Sequence, residues 1–375
     1  MKLHEFQAKE LFRGYGIPVQ QGTVIERADG VDGIALAYPL VLKAQVLVGG
    51  RGKAGGIKLA KTPAEARQHA QAILGMSIKG EVVRRVLVAE AVDIAAEYYL
   101  AFIIDRAARA LTAIASAAGG IDIEEVARVS PEKIAKASID PFLGFRPFHA
   151  RALGRRLGLS GPLLSDFVAI ATALYRLCEG EDAELAEINP LGVANGRLLA
   201  VDAKVIIDDN AVFRHAGLPK NEEMTELERA ARGEGLSYVE LEGDIAIIGN
   251  GAGLVMATLD MVAHFGGKPA NFLDVGGGAT EENMRQAVGI VGRKPGVRVL
   301  FVNIFGGITR CDDIARGIAA SPPALPMVVR LTGTNEEEGR RILKDAGFDA
   351  FIDPEAAAQR AVALVGAGAV MGENS

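Results

Sequence analysis

Apolar runs flank the dipeptide Asn195-Gly196 on both sides, a strong two-residue hairpin signal. A turn there pairs Ala194 with Arg197. Counting back along the ladder sets Asn189 opposite Asp202 and Glu187 opposite Lys204. Side chains alternate faces along a strand, so these four polar groups share one face. Ile188, Val201, Ala203 and Val205 then turn toward a core. Upstream, the pattern predicts a helix over 2–13, ended by Gly14-Tyr15-Gly16-Ile17-Pro18. A strand over 38–48 follows, then a glycine loop and a short strand at Ile57–Ala60. Thr62-Pro63-Ala64-Glu65 opens a helix in capping-box style. Further strands are expected at Arg85–Ala91 and Glu97–Ile104.

Residues 208–241 are polar and broken by Gly217, Pro219, Gly233 and Gly235, and they read as a connector. After Gly243 the pattern becomes regular strand–loop–helix units. Strands fall near 244–249, 270–274, 297–304, 326–331 and 348–352, each followed by a helical period of about 10–15 residues. Such repeats imply a doubly wound parallel sheet that binds ligands at its carboxyl edge. The expected class is α/β, with one domain over 1–235 and a second over 236–375.

Composition narrows this picture. The 375 residues suit two or three domains, and 49% hydrophobic with 23% charged residues is ordinary for packed cores. The net charge of −6, without a dense Lys/Arg tract, gives no nucleic-acid footprint. Arg151, Arg155 and Arg156 read as one helix face. No apolar run is expected to reach the roughly 18 residues that span a bilayer, so no membrane role is expected. The amino terminus reads as an amphipathic helix start and not as a signal peptide. Two cysteines, Cys178 and Cys311, allow neither a disulfide framework nor a cysteine zinc site, which points to a reducing cytoplasm.

The amide oxygen of Asn189 beside the carboxylate of Asp202 is a hard, oxygen-only pair. It suits Mg²⁺, which takes one or two protein ligands and leaves its other positions to water and phosphate. The ordinary alternative is a solvated polar face on an amphipathic hairpin. The run Gly49-Gly50-Arg51-Gly52-Lys53-Ala54-Gly55-Gly56 is a phosphate candidate, because glycines let backbone N–H groups crowd an anion. Gly50, Gly52 and Gly55 satisfy G-x-G-x-x-G, but a strand follows, which excludes the dinucleotide reading. Lys53 is followed by Ala54, which excludes a Walker A loop. A flap between antiparallel strands remains. Lys43, on an otherwise apolar strand, needs either water or a charge partner, and phosphate would serve. Glu97, on a later strand edge, is a candidate for ribose hydroxyls, the ordinary alternative being a surface glutamate.

The second domain carries Gly249-Asn250-Gly251-Ala252-Gly253, Gly276-Gly277-Gly278 and Gly306-Gly307-Ile308-Thr309 at strand ends. The first and third precede helices, whose N-termini attract carboxylates and phosphates. Gly249-x-Gly251 imitates a dinucleotide fingerprint, but its third position is Leu254, and the next strand is not expected to end in the required acid. None of the five histidines (His4, His69, His149, His215, His264) lies in a glycine loop or beside the hairpin. A covalent phosphoryl carrier would have to sit on another chain.

These strings together resemble the β subunit of succinate–CoA ligase over nearly the whole chain. The resemblance rests on Leu3-His4-Glu5-Phe6-Gln7-Ala8-Lys9, Gly49–Gly56, Glu187-Ile188-Asn189-Pro190-Leu191 and Asp208-Asp209-Asn210-Ala211. It continues through Asn250-Gly251-Ala252-Gly253-Leu254, Pro269–Gly278 and Asn303–Cys311. It implies an ATP-grasp domain followed by a flavodoxin-like CoA-ligase domain. It implies that Lys43, Gly50, Arg51 and Gly52 hold the phosphates of ATP or GTP. Ala89, Glu90 and Val92 would form the base-side hinge, and Glu97 would complete the nucleotide site. Asn189 and Asp202 would hold Mg²⁺, and Asn250 with Gly307, Ile308 and Thr309 would bind succinate. Glu187 would seat the phosphohistidine loop of a partner α subunit, which also supplies most of the CoA site. Malate–CoA ligase relatives tend to carry Ala where this chain has Gly307, which favours succinate. A stand-alone ATP-grasp carboxylate–amine ligase is disfavoured by the second domain. A non-enzymatic scaffold is disfavoured by the joint presence of Lys43, Asn189 and Asp202.

Overall fold

The computed structural model describes residues 1–121, 123–219 and 224–372. The chain forms two compact units, Met1–Glu223 and Met224–Ser375.

In the first unit, helix α1 (Glu5–Gly14) buries Ala8 and Phe12 one turn apart. Strands β1 (Gly22–Ile25), β2 (Leu40–Gln45) and β3 (Ile57–Ala60), helix α2 (Pro63–Ile73), the β4 (Ser77–Ile78) and β5 (Glu81–Val82) pair and strand β6 (Arg85–Glu90) follow. The order β1-β6-β2-β3 is antiparallel throughout. Ala66, Ala70 and Ile73 of α2 pack with Leu40, Leu42, Val86 and Val88 of this sheet. The Thr62 hydroxyl accepts from Glu65 N and starts α2, while the Glu65 carboxylate accepts from Lys61 N.

The second sheet of this unit uses β7 (Ala96–Asp105), β8 (Ala110–Ser116), β9 (Ile134–Ser138), β10 (Ala183–Ala194), β11 (Arg197–Ala200) and β12 (Lys204–Ile207). Its order is β11-β10-β7-β8-β9, with β12 also paired to β10. Helices α3 (Ile123–Val129), α4 (Pro147–Arg156) and α5 (Gly161–Gly180) lie in the intervening sequence. Against expectation, α5 is long and apolar enough to cross a bilayer by length and composition. Its Phe167, Ile170, Leu174 and Leu177 are buried with Leu100, Phe102, Ala186 and Ile188, so here it serves as a core helix. Each such side chain contributes about 1.5–3 kcal/mol by leaving water.

The second unit runs through α6 (Glu226–Gly233), β13 (Ser237–Glu240), β14 (Ile245–Gly249), α7 (Ala252–His264), β15 (Asn271–Asp274), α8 (Glu281–Val291) and β16 (Val299–Gly306). It continues with α9 (Cys311–Ala320), β17 (Met327–Gly333), α10 (Glu336–Asp345), β18 (Ala350–Phe351) and α11 (Pro354–Gly372). The sheet order is β13-β15-β14-β16-β17-β18, parallel except for β13. Alternate residues of β14 and β16 serve two cores. Ile245, Ile247, Val299 and Phe301 pack with α7 and α11, and Ala246, Ile248, Leu300 and Val302 pack with α8 and α9. Burial on both faces explains why β14 and the 299–302 part of β16 read as apolar runs.

The connector reading of 208–241 is corrected in part. Residues 220–223 lie outside the described residues. Beyond them, Thr225 caps α6 through a reciprocal box: its hydroxyl accepts from Glu228 N, and the Glu228 carboxylate accepts from Thr225 N. Strand β13 then adds an antiparallel edge to β15. Both elements belong to the second unit, whose start precedes the expected 235/236 boundary.

Candidate nucleotide and anion sites

The hairpin register holds at both ends. Ala194 pairs with Arg197, and Glu187 pairs with Lys204. Between them the ladder opens: β11 stops at Ala200 and β12 starts at Lys204, so Asp202 lies in the gap. Ile188, Val201, Ala203 and Val205 are buried as expected. The Asp202 carboxylate accepts from Arg51 Nη2 at 2.6 Å and from Ala203 N at 2.8 Å. Asn189 Oδ1 accepts from Gly120 N at 2.8 Å, and its Nδ2 donates to Ile121 O at 3.0 Å. Asn189 and Asp202 therefore engage different partners here. Among the described residues, no group of three or more His, Cys, Asp or Glu gathers as a metal cage. The oxygen donors of Asp202 and Asn189 are of the kind that suits Mg²⁺, which needs few protein ligands.

Lys43 is buried on β2. Its Nζ donates to Glu5 Oε1 at 2.9 Å and to Val201 O at 2.7 Å. Lys9 Nζ sits on the same two acceptors, 2.8 Å from Glu5 Oε1 and 2.8 Å from Val201 O. Arg51 spans Glu5 Oε2 at 2.6 Å and Asp202 Oδ2 at 2.6 Å. Three cations thus face two carboxylates, in a pocket where Glu5 is 3% exposed and Lys9 2%. Burial pushes the Glu5 carboxyl up, but Lys43, Lys9 and Arg51 outweigh it and hold the group well below the usual carboxylate range. Burial pushes the Lys9 ammonium down to about 8, opposed by Glu5. Burial also works against the Arg51 charge, yet Asp202 and Glu5 hold its pKa above the ordinary value.

The glycine loop is a stack of turns. Ala54 N donates to Gly50 O, Gly55 N to Gly52 O, and Gly56 N to Arg51 O. Gly50 has φ +92°, a conformation that side chains disfavour. The loop closes where Ala44 N donates to Gly56 O at 2.7 Å, and β3 follows, so the sheet-flap reading is correct.

Ala89 is buried and Glu90 half-buried at the end of β6, with half-buried Val92 beyond. Glu90 O accepts from Gln20 Nε2 at 3.0 Å, and Gln20 Oε1 accepts from Lys9 Nζ at 3.2 Å. Glu97 is exposed, and its carboxylate lies against Gly120, the residue that also donates to Asn189. Glu187 Oε2 accepts from the Tyr99 hydroxyl at 3.2 Å, and burial raises its carboxyl above the ordinary value against the pull of Lys204. Glu5, Lys9 and Gly120 were not singled out as site residues by sequence. Glu5 and Lys9 carried a readable helical spacing, but not its inward direction.

At the carboxyl edge of the second sheet, the three loops are tied together. Asn250 Nδ2 donates to Phe305 O at 2.9 Å and to Thr309 Oγ1 at 3.3 Å, and its Oδ1 accepts from Phe305 N at 2.9 Å. Gly278 N donates to Thr309 Oγ1 at 2.9 Å. The reading that no acid ends the strand after the first loop is wrong. Asp274 closes β15, and its Oδ1 accepts from Gly251 N at 2.6 Å and Gly276 N at 2.7 Å. It braces the turns internally. Thr309 is buried, whereas Gly307 and Ile308 are exposed just before α9. The result is an internally braced edge that precedes the N-termini of α7 and α9, and helix N-termini suit a small carboxylate.

Comparison with known proteins agrees with this division. The ATP-grasp domain family matches residues 2–193, and the CoA-ligase family matches residues 248–365. The chain is 51% identical over 379 residues to the β subunit of the GDP-forming succinate–CoA ligase of Thermus thermophilus, covering 98% of this chain and 100% of that protein. It is 50% identical over 373 residues to the ADP-forming counterpart of Herpetosiphon aurantiacus, covering 96% and 99%. It is 48% identical over 372 residues to that of Ignicoccus hospitalis, covering 97% and 99%. The solved ATP citrate lyase of Methanothrix soehngenii, in complex with citrate and coenzyme A, shares the fold with a TM-score of 0.73 at 20% identity. That match covers 96% of this chain and 97% of the other. With its two domains in this order and near-half identity along its whole length, the chain belongs to the family of succinate–CoA ligase β subunits.

Proposed function

We propose that this chain is the nucleotide-activating β subunit of a heteromeric, cytoplasmic succinate–CoA ligase of the citric acid cycle. The reversible reaction is nucleoside triphosphate + succinate + CoA = nucleoside diphosphate + phosphate + succinyl-CoA. The phosphoryl group passes through a histidine on a partner α subunit. The observation that carries this reading is the buried cluster in which Lys43, Arg51 and Lys9 converge on Glu5 and Asp202. Three cations against two carboxylates leave a net positive charge there, which suits polyphosphate and nothing apolar.

Lys43 and Arg51 bear on the β- and γ-phosphates, and the amides around Gly50 and Gly52 cap their oxygens. The backbone of Ala89, Glu90 and Val92 receives the base, and Glu97 the ribose. Asp202 and Asn189 would hold Mg²⁺, which would neutralise charge on the transferring group. Glu187, which accepts from the Tyr99 hydroxyl, seats the partner's histidine loop. That loop then delivers the phosphoryl group to succinate held by Asn250 and the Gly307-Ile308-Thr309 turn. The CoA thiol attacks the resulting acyl phosphate and releases phosphate. Gly307 leaves room beside the acid, and malate, one hydroxyl larger, is the second candidate substrate.

The test is phosphorylation of the co-purified partner chain by γ-labelled ATP or GTP with Mg²⁺. An acid-labile label on the partner, discharged by succinate plus CoA, is the expected result. Absence of label, with phosphate released only when an amine acceptor is added, would replace this reading with a carboxylate–amine ligase.

A further inference from the structure

The string Leu3-His4-Glu5-Phe6-Gln7-Ala8-Lys9 supplies Glu5 and Lys9 to the charged cluster, and neither touches the phosphates in the reaction as described so far. Yet Glu5, the first residue of α1, lies at the centre of the charged cluster. One carboxylate oxygen receives Lys43 and Lys9, and the other receives Arg51, with Gln45 Nε2 at 3.5 Å. Both side-chain cations assigned to phosphate are therefore anchored on one buried acid that is 38 and 46 residues away from them in sequence.

Arg51 uses its two terminal nitrogens differently. Nη1 is held by Glu5 and Ala44 O, deep in the fold, and Nη2 by Asp202, which is more exposed. A divalent cation arriving at Asp202 repels the guanidinium there. Arg51 can surrender the Asp202 contact while Nη1 stays on Glu5, and the freed Nη2 then faces phosphate. Without Glu5 the same displacement would release the whole side chain.

We propose, building on the nucleotide-site reading above, that Glu5 is a positioning residue that holds Lys43 and pivots Arg51 between Asp202 and the phosphates of a bound nucleotide. Glu5 touches no reacting atom. It acts by fixing two long side chains whose free rotamers would otherwise cost affinity when a ligand ordered them. It also keeps three cations from repelling one another in a buried place.

The test separates positioning from bulk charge balance. The charge-matched double variant Glu5→Gln/Lys9→Met removes one negative and one positive group and keeps the cluster's net charge. Binding of Mg-ADP and Mg-GDP to the full chain is measured by calorimetry, together with the melting temperature. The tighter nucleotide should bind the double variant at least tenfold more weakly, at a melting temperature close to the parent's. Binding within twofold of the parent would overturn the positioning role. Should the double variant fail to fold, Glu5→Asp decides. It keeps the charge and shortens the reach, so several-fold weaker binding supports the proposal and parental binding overturns it. A parent chain that binds neither nucleotide would instead overturn the nucleotide-site reading on which the proposal rests.

Discussion

The two candidate sites differ in how they prepare for an anion. In the first unit, Lys9, Lys43 and Arg51 are held on Glu5 and Asp202 by contacts of 2.6 to 2.9 Å. In the second, Asn250, Thr309 and Gly278 hold one another through neutral hydrogen bonds, and the only carboxylate among them, Asp274, is spent on Gly251 and Gly276 amides. A triphosphate carries several negative charges and needs full countercharges kept in place beforehand. A dicarboxylate on a sheet edge can be met by backbone donors and helix termini alone. The charged site is therefore expected to be steep in its response to single substitutions, and the neutral one shallow.

Asp202→Ala should have the largest effect. It removes the carboxylate proposed to hold Mg²⁺ and should weaken Mg-nucleotide binding by more than about 100-fold, beyond the 10–100-fold typical of outer-shell partners. The fold should persist, since Arg51 keeps Glu5. Calorimetric affinity with and without Mg²⁺ measures this. Lys43→Met comes next. Removing one partner of a buried pair costs up to about 3–5 kcal/mol, moderated here because Lys9 and Arg51 remain on Glu5. Both the denaturant midpoint and nucleotide affinity should fall. Asn250→Ala frees the backbone of Phe305 and costs about 1 kcal/mol per lost hydrogen bond. It should slow discharge of the phosphorylated partner by succinate plus CoA and leave nucleotide affinity unchanged.

The smallest effect concerns pH. Lys9 titrates near 8 in the folded chain, against about 10.4 for an ordinary lysine. Below pH 8 both folded and unfolded chains hold this proton, and it contributes no slope. Between about 8 and 10 the unfolded chain binds a proton that the folded chain has released, so stability rises with pH. Denaturation of the parent against Lys9→Met across that window should show the parent gaining relative to the variant. A flat difference would place Lys9 in a more solvated setting.

Local patterning carried much of this architecture. Asn195-Gly196 is a turn whose chemistry sets register by itself, so Glu187 opposite Lys204 could be counted from sequence. The βα units from Ile245 onward declared themselves by predominantly apolar strands, each followed by a helical period. The helix Glu226–Gly233 was hidden inside a glycine-broken stretch, although Thr225 and Glu228 spelled its cap. Asp274 escaped because its role depends on two loops meeting at one strand end. The Glu5 cluster was the least legible. Its contacts join α1, β2, the glycine loop and the hairpin, and no periodicity reports which of several charged residues turn inward together.

The division of labour itself is tested by labelling the partner histidine from both directions in one set of complexes. γ-Labelled ATP or GTP enters through the charged site. Labelled phosphate with succinyl-CoA enters through the neutral one, releasing succinate and CoA. Asp202→Ala should lose the first labelling and keep the second, and Asn250→Ala should show the reverse bias. Equal loss of both labellings in a well-folded Asp202→Ala complex would contradict the assignment of nucleotide and acid to separate units.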